Sequence, residues 1–87
     1  MPKGDINWKR RTDTGERLEI NARQIGKRWI FHCRSGRSER WELLAEPPQE
    51  DWLQLLDAVQ RRVDRHFMRP EETSKLMQLI RARFPDF

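Results

Sequence analysis

The amino-acid sequence predicts an α+β fold, in which a four-stranded antiparallel meander sheet precedes two C-terminal α-helices packed on one of its faces (ββββαα). Apolar residues alternate with polar residues before the Pro47-Pro48 pair and recur at helical spacing after it. Short turns rich in glycine, serine and aspartate separate the first segments, as in consecutive antiparallel strands. We expect a flexible N-terminus over 1–5 and a single domain over 6–87, with the sheet in 6–44 and the helices in 48–84.

The first two strands are joined by a recognisable turn. Strand one is predicted over Ile6–Arg11 and strand two over Arg17–Ile25, each with apolar residues at alternate positions. Between them, Thr12-Asp13-Thr14-Gly15 carries aspartate and glycine at positions that turns favour.

The third and fourth strands follow the same pattern. Strand three, Lys27–Arg34, alternates most clearly, with large apolar residues at every second position. Ser35-Gly36 marks the next turn. Strand four is predicted over Ser38–Leu44, with Trp41 and Leu43 turned toward the helices.

Two helices are predicted after the sheet. Helix one is expected from Pro48 to about His66 and helix two from Pro70 to about Phe84. Proline suits a first helical turn, and the acidic residues that follow each proline complement the helix dipole. Pro85 ends the second helix, because the residue before a proline avoids the helical region.

One sheet face and the apolar stripes of the helices are expected to cover each other. The predicted core consists of Ile6, Trp8, Leu18, Ile20, Trp29, Phe31, Trp41, Leu43, Trp52, Leu55, Leu56, Val59, Val63, Leu76 and Ile80.

Cysteine content and hydropathy exclude several classes of protein. A single cysteine, Cys33, cannot form an internal disulfide, which argues against the disulfide-stabilised secreted class. The first residues contain no apolar run typical of a signal peptide, and no stretch approaches the length of a transmembrane helix. We therefore expect a cytoplasmic protein that has no membrane partner.

Positive charge is concentrated in the first half of the chain. Residues 1–44 hold eleven Lys/Arg and six Asp/Glu, whereas residues 45–87 hold seven and eight. A basic half favours an anionic partner such as DNA or RNA. The alternative is that these arginines serve solubility alone.

The predicted strand parity places most of this charge on the uncovered face of the sheet. A positive face of this kind attracts phosphate backbones. Glu19 and Glu42 are the only carboxylates predicted to oppose it, and Ile30 and His32 are its only candidates for contact with bases. The alternative is a polar face that is merely solvated. The candidate nucleic-acid-binding residues are Lys9, Arg11, Arg17, Arg23, Arg28, Arg34 and Arg40.

The stretch from Arg17 to Val59 resembles the single-strand-binding transcriptional coactivator family known as positive cofactor four. The most similar segment is Pro48-Gln49-Glu50-Asp51-Trp52-Leu53-Gln54-Leu55, which opens the helix after four strands. The resemblance implies that the sheet face binds nucleic acid and that the helix supports a dimer. The second helix, Pro70–Phe84, departs from that pattern.

No residue pattern indicates catalysis, a cofactor or a metal. His32 and Cys33 are consecutive in a strand, so they point to opposite faces and cannot form a dyad. Two histidines and one cysteine are too few for a structural zinc site. The carboxylates of helix one are interpreted as dipole complements and a solvated face: Glu50, Asp51, Asp57 and Asp64. We expect a protein that is not an enzyme.

A second function remains open from the sequence. Leu53 and Ala58 lie off the main stripe of helix one, and Phe67-Met68 and Phe87 add further apolar residues. They indicate either packing on helix two or a surface for a homodimer or a protein partner. The alternative to nucleic-acid binding is thus a protein-interaction or regulatory domain.

Overall fold

The computed structural model of the chain describes residues 5–36 and 38–86. Within them, an antiparallel sheet with the strand order β1-β2-β3-β4 precedes two helices, which confirms the predicted ββββαα α+β fold. The predicted flexible segment 1–5 lies outside the described residues, apart from Asp5. The elements are β1 Ile6–Arg11, β2 Arg17–Ile25, β3 Arg28–Ser35, β4 Glu42–Leu43, α1 Gln49–Asp64 and α2 Glu71–Arg83.

The chain divides after Glu46 into two compact units, one with the sheet and one with the helices. In the sheet unit, Trp8 lies opposite Ile20 and Ile20 lies opposite Cys33. Residues opposite each other in a ladder point to the same face, so one face collects the apolar positions predicted for β1, β2 and β3. We call it the inner face; it carries Ile6, Trp8, Leu18, Ile20, Ala22, Trp29, Phe31 and Cys33.

The inner face holds the buried residues of the sheet unit. Ile6, Ile20, Ala22 and Phe31 are buried. Trp8 is half-buried and meets Phe31 edge to face, with ring centroids 6.1 Å apart. Strand alternation therefore predicts the side-chain directions of the first three strands correctly.

The prediction for the fourth strand is wrong in length and in parity. β4 contains only Glu42 and Leu43, and Leu43 lies opposite His32, on the face away from Ile20. Leu43 is 64% exposed and Trp41 is 38% exposed, so neither belongs to the core. Leu44 is half-buried, and its N–H donates to the Phe31 carbonyl over 2.9 Å. A shift of one residue in pairing turns every side chain to the other face.

The turn between β1 and β2 closes through backbone hydrogen bonds. The Thr12 N–H donates to the Glu16 carbonyl over 2.8 Å, and the Gly15 N–H donates to the Thr12 carbonyl over 2.9 Å. Gly15 has φ +84°, which favours glycine. This turn places Arg11 directly opposite Arg17.

The helices begin one residue later than predicted, with Pro48 and Pro70 as their N-caps. After α1, His66 has φ 63° and its N–H donates to the Val63 carbonyl, while the Phe67 N–H donates to the Arg62 carbonyl. This is the Schellman arrangement, which satisfies carbonyls at a helix end. No helix among the described residues is long and apolar enough to cross a membrane.

The helical unit has its own buried residues. The predicted stripe residues Trp52, Leu55, Val59, Leu76 and Ile80 are buried. Three other predicted core residues of the sheet unit and two of the helical unit are half-buried: Trp8, Leu18, Trp29, Leu56 and Val63.

The burial of Asp51 differs from the sequence interpretation. It is fully buried, whereas the sequence placed it on a solvated face. It lies one helical turn before Leu55, on the same stripe.

Candidate nucleic-acid interface

The sheet face opposite the inner face is polar and mostly cationic; we call it the outer face. Register places six of the predicted cations there, because each alternates with, or lies opposite, another residue of that face. These six are Lys9, Arg11, Arg17, Arg23, Arg28 and Arg34. The seventh, Arg40, precedes β4 and lies outside the strands.

Two arginines in the centre of the outer face are held by carboxylates. Arg23 donates to Asp5 through Nε to Oδ1 over 3.2 Å and through Nη2 to Oδ2 over 3.3 Å. Arg34 donates to Glu19 Oε1 through Nε over 3.0 Å and through Nη2 over 2.9 Å. These guanidiniums are neutralised by protein groups, so they add little to the attraction for phosphate.

We call the two hydrogen-bonded pairs the Asp5–Arg23 clamp and the Glu19–Arg34 clamp. The Asp5–Arg23 clamp changes the acidity of the Asp5 carboxyl group. The hydrogen bond from Arg23 is the main cause that holds the pKa of Asp5 below its ordinary value of 3.8. A further hydrogen bond from Asn21 and the charge of Arg23 act in the same direction, against desolvation. The Asp5 side chain is 5% exposed. The clamp is therefore a structural element that fixes the start of β1 against β2.

Trp41 lies on the outer face beside the Glu19–Arg34 clamp. The guanidinium carbon of Arg34 lies 4.7 Å from the Trp41 ring centroid, a cation–π contact. Arg34 is thus fixed on one side by Glu19 and on the other by the indole. The arrangement leaves a partly exposed aromatic ring on the basic face, where sequence parity predicted none.

Trp41 and the centre of the face border an open recess of about 500 Å³. This volume is within the range of about 300–1,000 Å³ found for small-molecule sites. Polar side chains of β1, β2 and β3 line it, and the Asp5–Arg23 clamp forms part of its rim. The lining includes Asn7, Glu19, Asn21, His32, Arg34 and Trp41.

Lys9, Arg11 and Arg17 form a separate cluster, the cationic end, near the turn between β1 and β2. They line one groove together with Glu19 and Gly36. Arg11 lies directly opposite Arg17, and like charges in that position destabilise a sheet. Over the described ranges 5–36 and 38–86, no carboxylate pairs with the side chain of Arg11 or Arg17.

The remaining two predicted residues lie apart from this cluster. Arg28 lies opposite Ile25, at the other end of β2 from Arg17. Eight steps of about 3.3 Å between Arg17 and Ile25 separate the two ends of the strand by roughly 26 Å. Arg40 lies in the segment before β4, where its N–H donates to Ser38 Oγ over 3.1 Å. The seven candidates are therefore distributed over several places.

Sequence reasoning missed Trp41, Asn7 and Asn21 as site residues. Asn7 lies opposite Asn21, and Asn21 Nδ2 donates to Asn7 Oδ1 over 2.6 Å. Their alternation with apolar neighbours gave a usable signal for the two asparagines. Trp41 had no such signal, because its direction depends on how β4 pairs.

The cysteine and histidine side chains of β3 lie apart from each other. Cys33, the single cysteine of the chain, lies opposite Ile20, while His32 lies opposite Asn21, so the two point to different faces. Among the residues that the structure describes, no group of three or more His, Cys, Asp or Glu is arranged to hold a metal ion.

The chain matches no family model, no curated protein and no solved structure.

Proposed function

We propose that this protein binds single-stranded nucleic acid on the outer face of its sheet, with the cationic end in contact with the phosphate backbone. The observation that carries the proposal is the Arg11–Arg17 pair, two cations held opposite each other with no carboxylate partner among the described residues. Such a pair costs folding free energy, and an anion between the two guanidiniums compensates that cost.

Charge on the face as a whole supports an anionic ligand. Six strand cations share the outer face with Glu19, and Asp5 adds one further carboxylate at its edge. Once the two clamps are counted as neutral, four cations remain: Lys9, Arg11, Arg17 and Arg28. Arginine forks bind phosphate oxygens in pairs, which makes a phosphodiester a suitable partner.

Single-stranded rather than duplex nucleic acid is favoured by the aromatic ring on the same face. Bases in a duplex are stacked on each other, whereas those of a single strand are free to stack on a protein side chain. Trp41 is 38% exposed and lies beside Arg34 on the face that carries the cationic end. A strand whose phosphates contact Arg11 and Arg17 thus has an aromatic surface available to it.

The proposal is tested by fluorescence anisotropy with labelled single-stranded and duplex oligonucleotides at about 20 mM salt and above. We expect single strands to bind more tightly than duplexes. If each residue of the cationic end contacts one phosphate, the three contacts predict that log K falls with log salt with a slope of about −2 for single strands. Charge reversal in the Arg11→Glu/Arg17→Glu double variant should remove most of the binding and reduce this slope to about −0.7.

A matched control makes the same change in net charge in the helical unit. Arg69→Glu/Arg81→Glu reverses two exposed arginines of the helical unit and should retain binding within about twofold, since phosphate contacts are local. Circular dichroism verifies that both double variants are folded. If the wild-type protein does not bind single strands even at low salt, or if both double variants lose binding equally, the proposal is wrong.

A second candidate function is self-association or protein binding through the helical unit. It is favoured by three apolar side chains exposed there: Leu53 at 38%, Leu79 at 38% and Phe67 at 75%. Sedimentation equilibrium over a range of protein concentrations tests it. Self-association that is lost in Phe67→Ser supports this candidate, whereas a monomer at all concentrations argues against a homodimer.

A further inference from the structure

The recess beside Trp41 presents hydrogen-bonding groups as well as a ring. Asn21 uses its amide Nδ2 on Asn7 Oδ1, over 2.6 Å, and on Asp5 Oδ2, over 3.4 Å. The amide pair therefore leaves Asn21 Oδ1 as an acceptor and Asn7 Nδ2 as a donor on adjacent strands. One acceptor beside one donor matches the edge of a nucleobase.

Glu19 contributes a further acceptor to the same recess. Both hydrogen bonds from Arg34 reach Oε1 of Glu19. Glu19 Oε2 receives no hydrogen bond from the part of the chain that the structure describes. The recess thus has two acceptors and one donor for a ligand, and one of its acceptors carries negative charge.

We infer that this recess holds one nucleobase with an exocyclic amino group beside an unprotonated ring nitrogen on its Watson–Crick edge, adenine or cytosine, and gives the outer face a base preference. The inference rests on the proposed function and extends it, because phosphate contacts alone carry no sequence information. The base stacks on Trp41 and hydrogen-bonds to the floor of the recess.

The preference follows from the number of hydrogens on the base. An amino group has two hydrogens, so it donates to Asn21 Oδ1 and to Glu19 Oε2 together, while the ring nitrogen accepts from Asn7 Nδ2. Thymine and uracil have one N–H, and a carbonyl oxygen takes the place of the amino group. That oxygen faces the Glu19 carboxylate, and the two repel each other.

Oligonucleotides that differ in one base test the inference. Each is an abasic strand of about eight nucleotides that carries adenine, cytosine, thymine or no base at one central position. Because the backbone is constant, the phosphate contribution to the dissociation constant is the same for all four. We expect adenine or cytosine to bind at least about fivefold more tightly than thymine or the fully abasic strand.

Two variants locate the preference. Trp41→Phe keeps an aromatic ring and should keep the preference, whereas Trp41→Ala should bring all four strands to the affinity of the abasic one. Glu19→Gln replaces an acceptor by an amide that also donates, so it should reduce the ratio of thymine to adenine dissociation constants, while the Asn7–Asn21 amide pair keeps part of the preference. A ratio is informative here, because the lost charge raises affinity for all four strands equally.

The outcomes separate this inference from the proposed function. If the wild-type protein binds all four strands equally, or prefers thymine, the base recess is wrong although backbone binding stands. If Trp41→Ala retains the full preference, the recess is likewise not the site. If no strand binds, including an ordinary single strand of the same length, the proposed function itself is wrong.

Discussion

The centre of the outer face and its cationic end use the same guanidinium chemistry for different purposes. In the centre, Arg23 and Arg34 each donate two hydrogen bonds to a carboxylate. At the cationic end, Arg11 and Arg17 lie opposite each other, and no carboxylate in the described part of the chain pairs with either side chain. The first pair of arginines stabilises the contact between neighbouring strands. The repulsion within the second pair lowers the free energy of unfolding.

This difference shows that the role of an arginine is set by its nearest carboxylate. Asp5 and Glu19 bind Arg23 and Arg34 in the centre of the face, and neither is paired with Arg11 or Arg17, although Glu19 lies opposite Lys9 in the register. A ligand with phosphates is therefore attracted to the end rather than to the centre. Removal of single arginines from each region should separate stability from binding.

The largest expected effect comes from Arg34→Ala compared with Arg17→Ala. Arg34→Ala removes two hydrogen bonds to Glu19 and the contact with Trp41. We expect the free energy of unfolding to fall by about 1.5 kcal/mol, which lowers Tm by roughly 6–12 °C in a domain of this size. Arg17→Ala should leave Tm within about 2 °C and weaken oligonucleotide binding by about 3- to 10-fold.

Thermal unfolding followed by circular dichroism, together with the anisotropy titration, measures both effects. The comparison fails if Arg17→Ala destabilises the fold as much as Arg34→Ala does. It fails equally if the loss of Arg34 weakens binding to an abasic strand more than the loss of Arg17.

The side-chain directions of β1, β2 and β3 could be predicted because each strand alternates over six or more residues. A strand of that length has one parity that buries its apolar set, and the other parity exposes it. Lys9, Arg17 and Arg34 were placed on one face by this reasoning, and the register agrees.

β4 could not be predicted in the same way, because it pairs over only two residues. Its direction is set by the length of the segment after Ser35, which decides whether Leu43 or Leu44 lies opposite Phe31. Trp41 follows that choice and reaches Arg34. The two clamps could not be predicted either. The pairing of Glu19 with Arg34 across the strands depends on the register of the strands and not only on which face each side chain takes.

A smaller effect is expected from Arg11→Glu, which changes the cationic end into a structural pair like those of the centre. Arg11 lies opposite Arg17, so the substitution replaces repulsion by attraction across the strands. We expect the free energy of unfolding to rise by about 0.5–1 kcal/mol, while oligonucleotide binding weakens by about tenfold. Urea unfolding at low salt measures the gain.

Salt provides the control for Arg11→Glu. At about 1 M salt the Debye length is near 3 Å, so the gain in stability should shrink. Arg11→Gln removes the repulsion without adding attraction and should give an intermediate value. An Arg11→Glu protein that is less stable than the wild type at low salt would contradict the idea that repulsion between Arg11 and Arg17 destabilises the cationic end.

The smallest effect concerns the Asp5–Arg23 clamp, which makes the centre sensitive to acid. The folded-state pKa of Asp5 lies below its ordinary value of 3.8, mainly because Arg23 hydrogen-bonds to the carboxylate. A carboxyl whose pKa is lowered on folding adds stability that is complete above the unfolded pKa and is lost as pH falls through the folded one. Asp5→Asn should therefore lower the free energy of unfolding by less than about 1 kcal/mol at neutral pH. The difference from the wild type should stay constant down to about pH 5 and vanish in stronger acid.

Urea unfolding at a series of pH values measures this convergence, and Arg23→Gln should reproduce it. Arg17→Ala should instead run parallel to the wild type at every pH, because no carboxylate among the described residues pairs with the Arg17 side chain; convergence in that variant too would mean that the two regions are not electrostatically distinct.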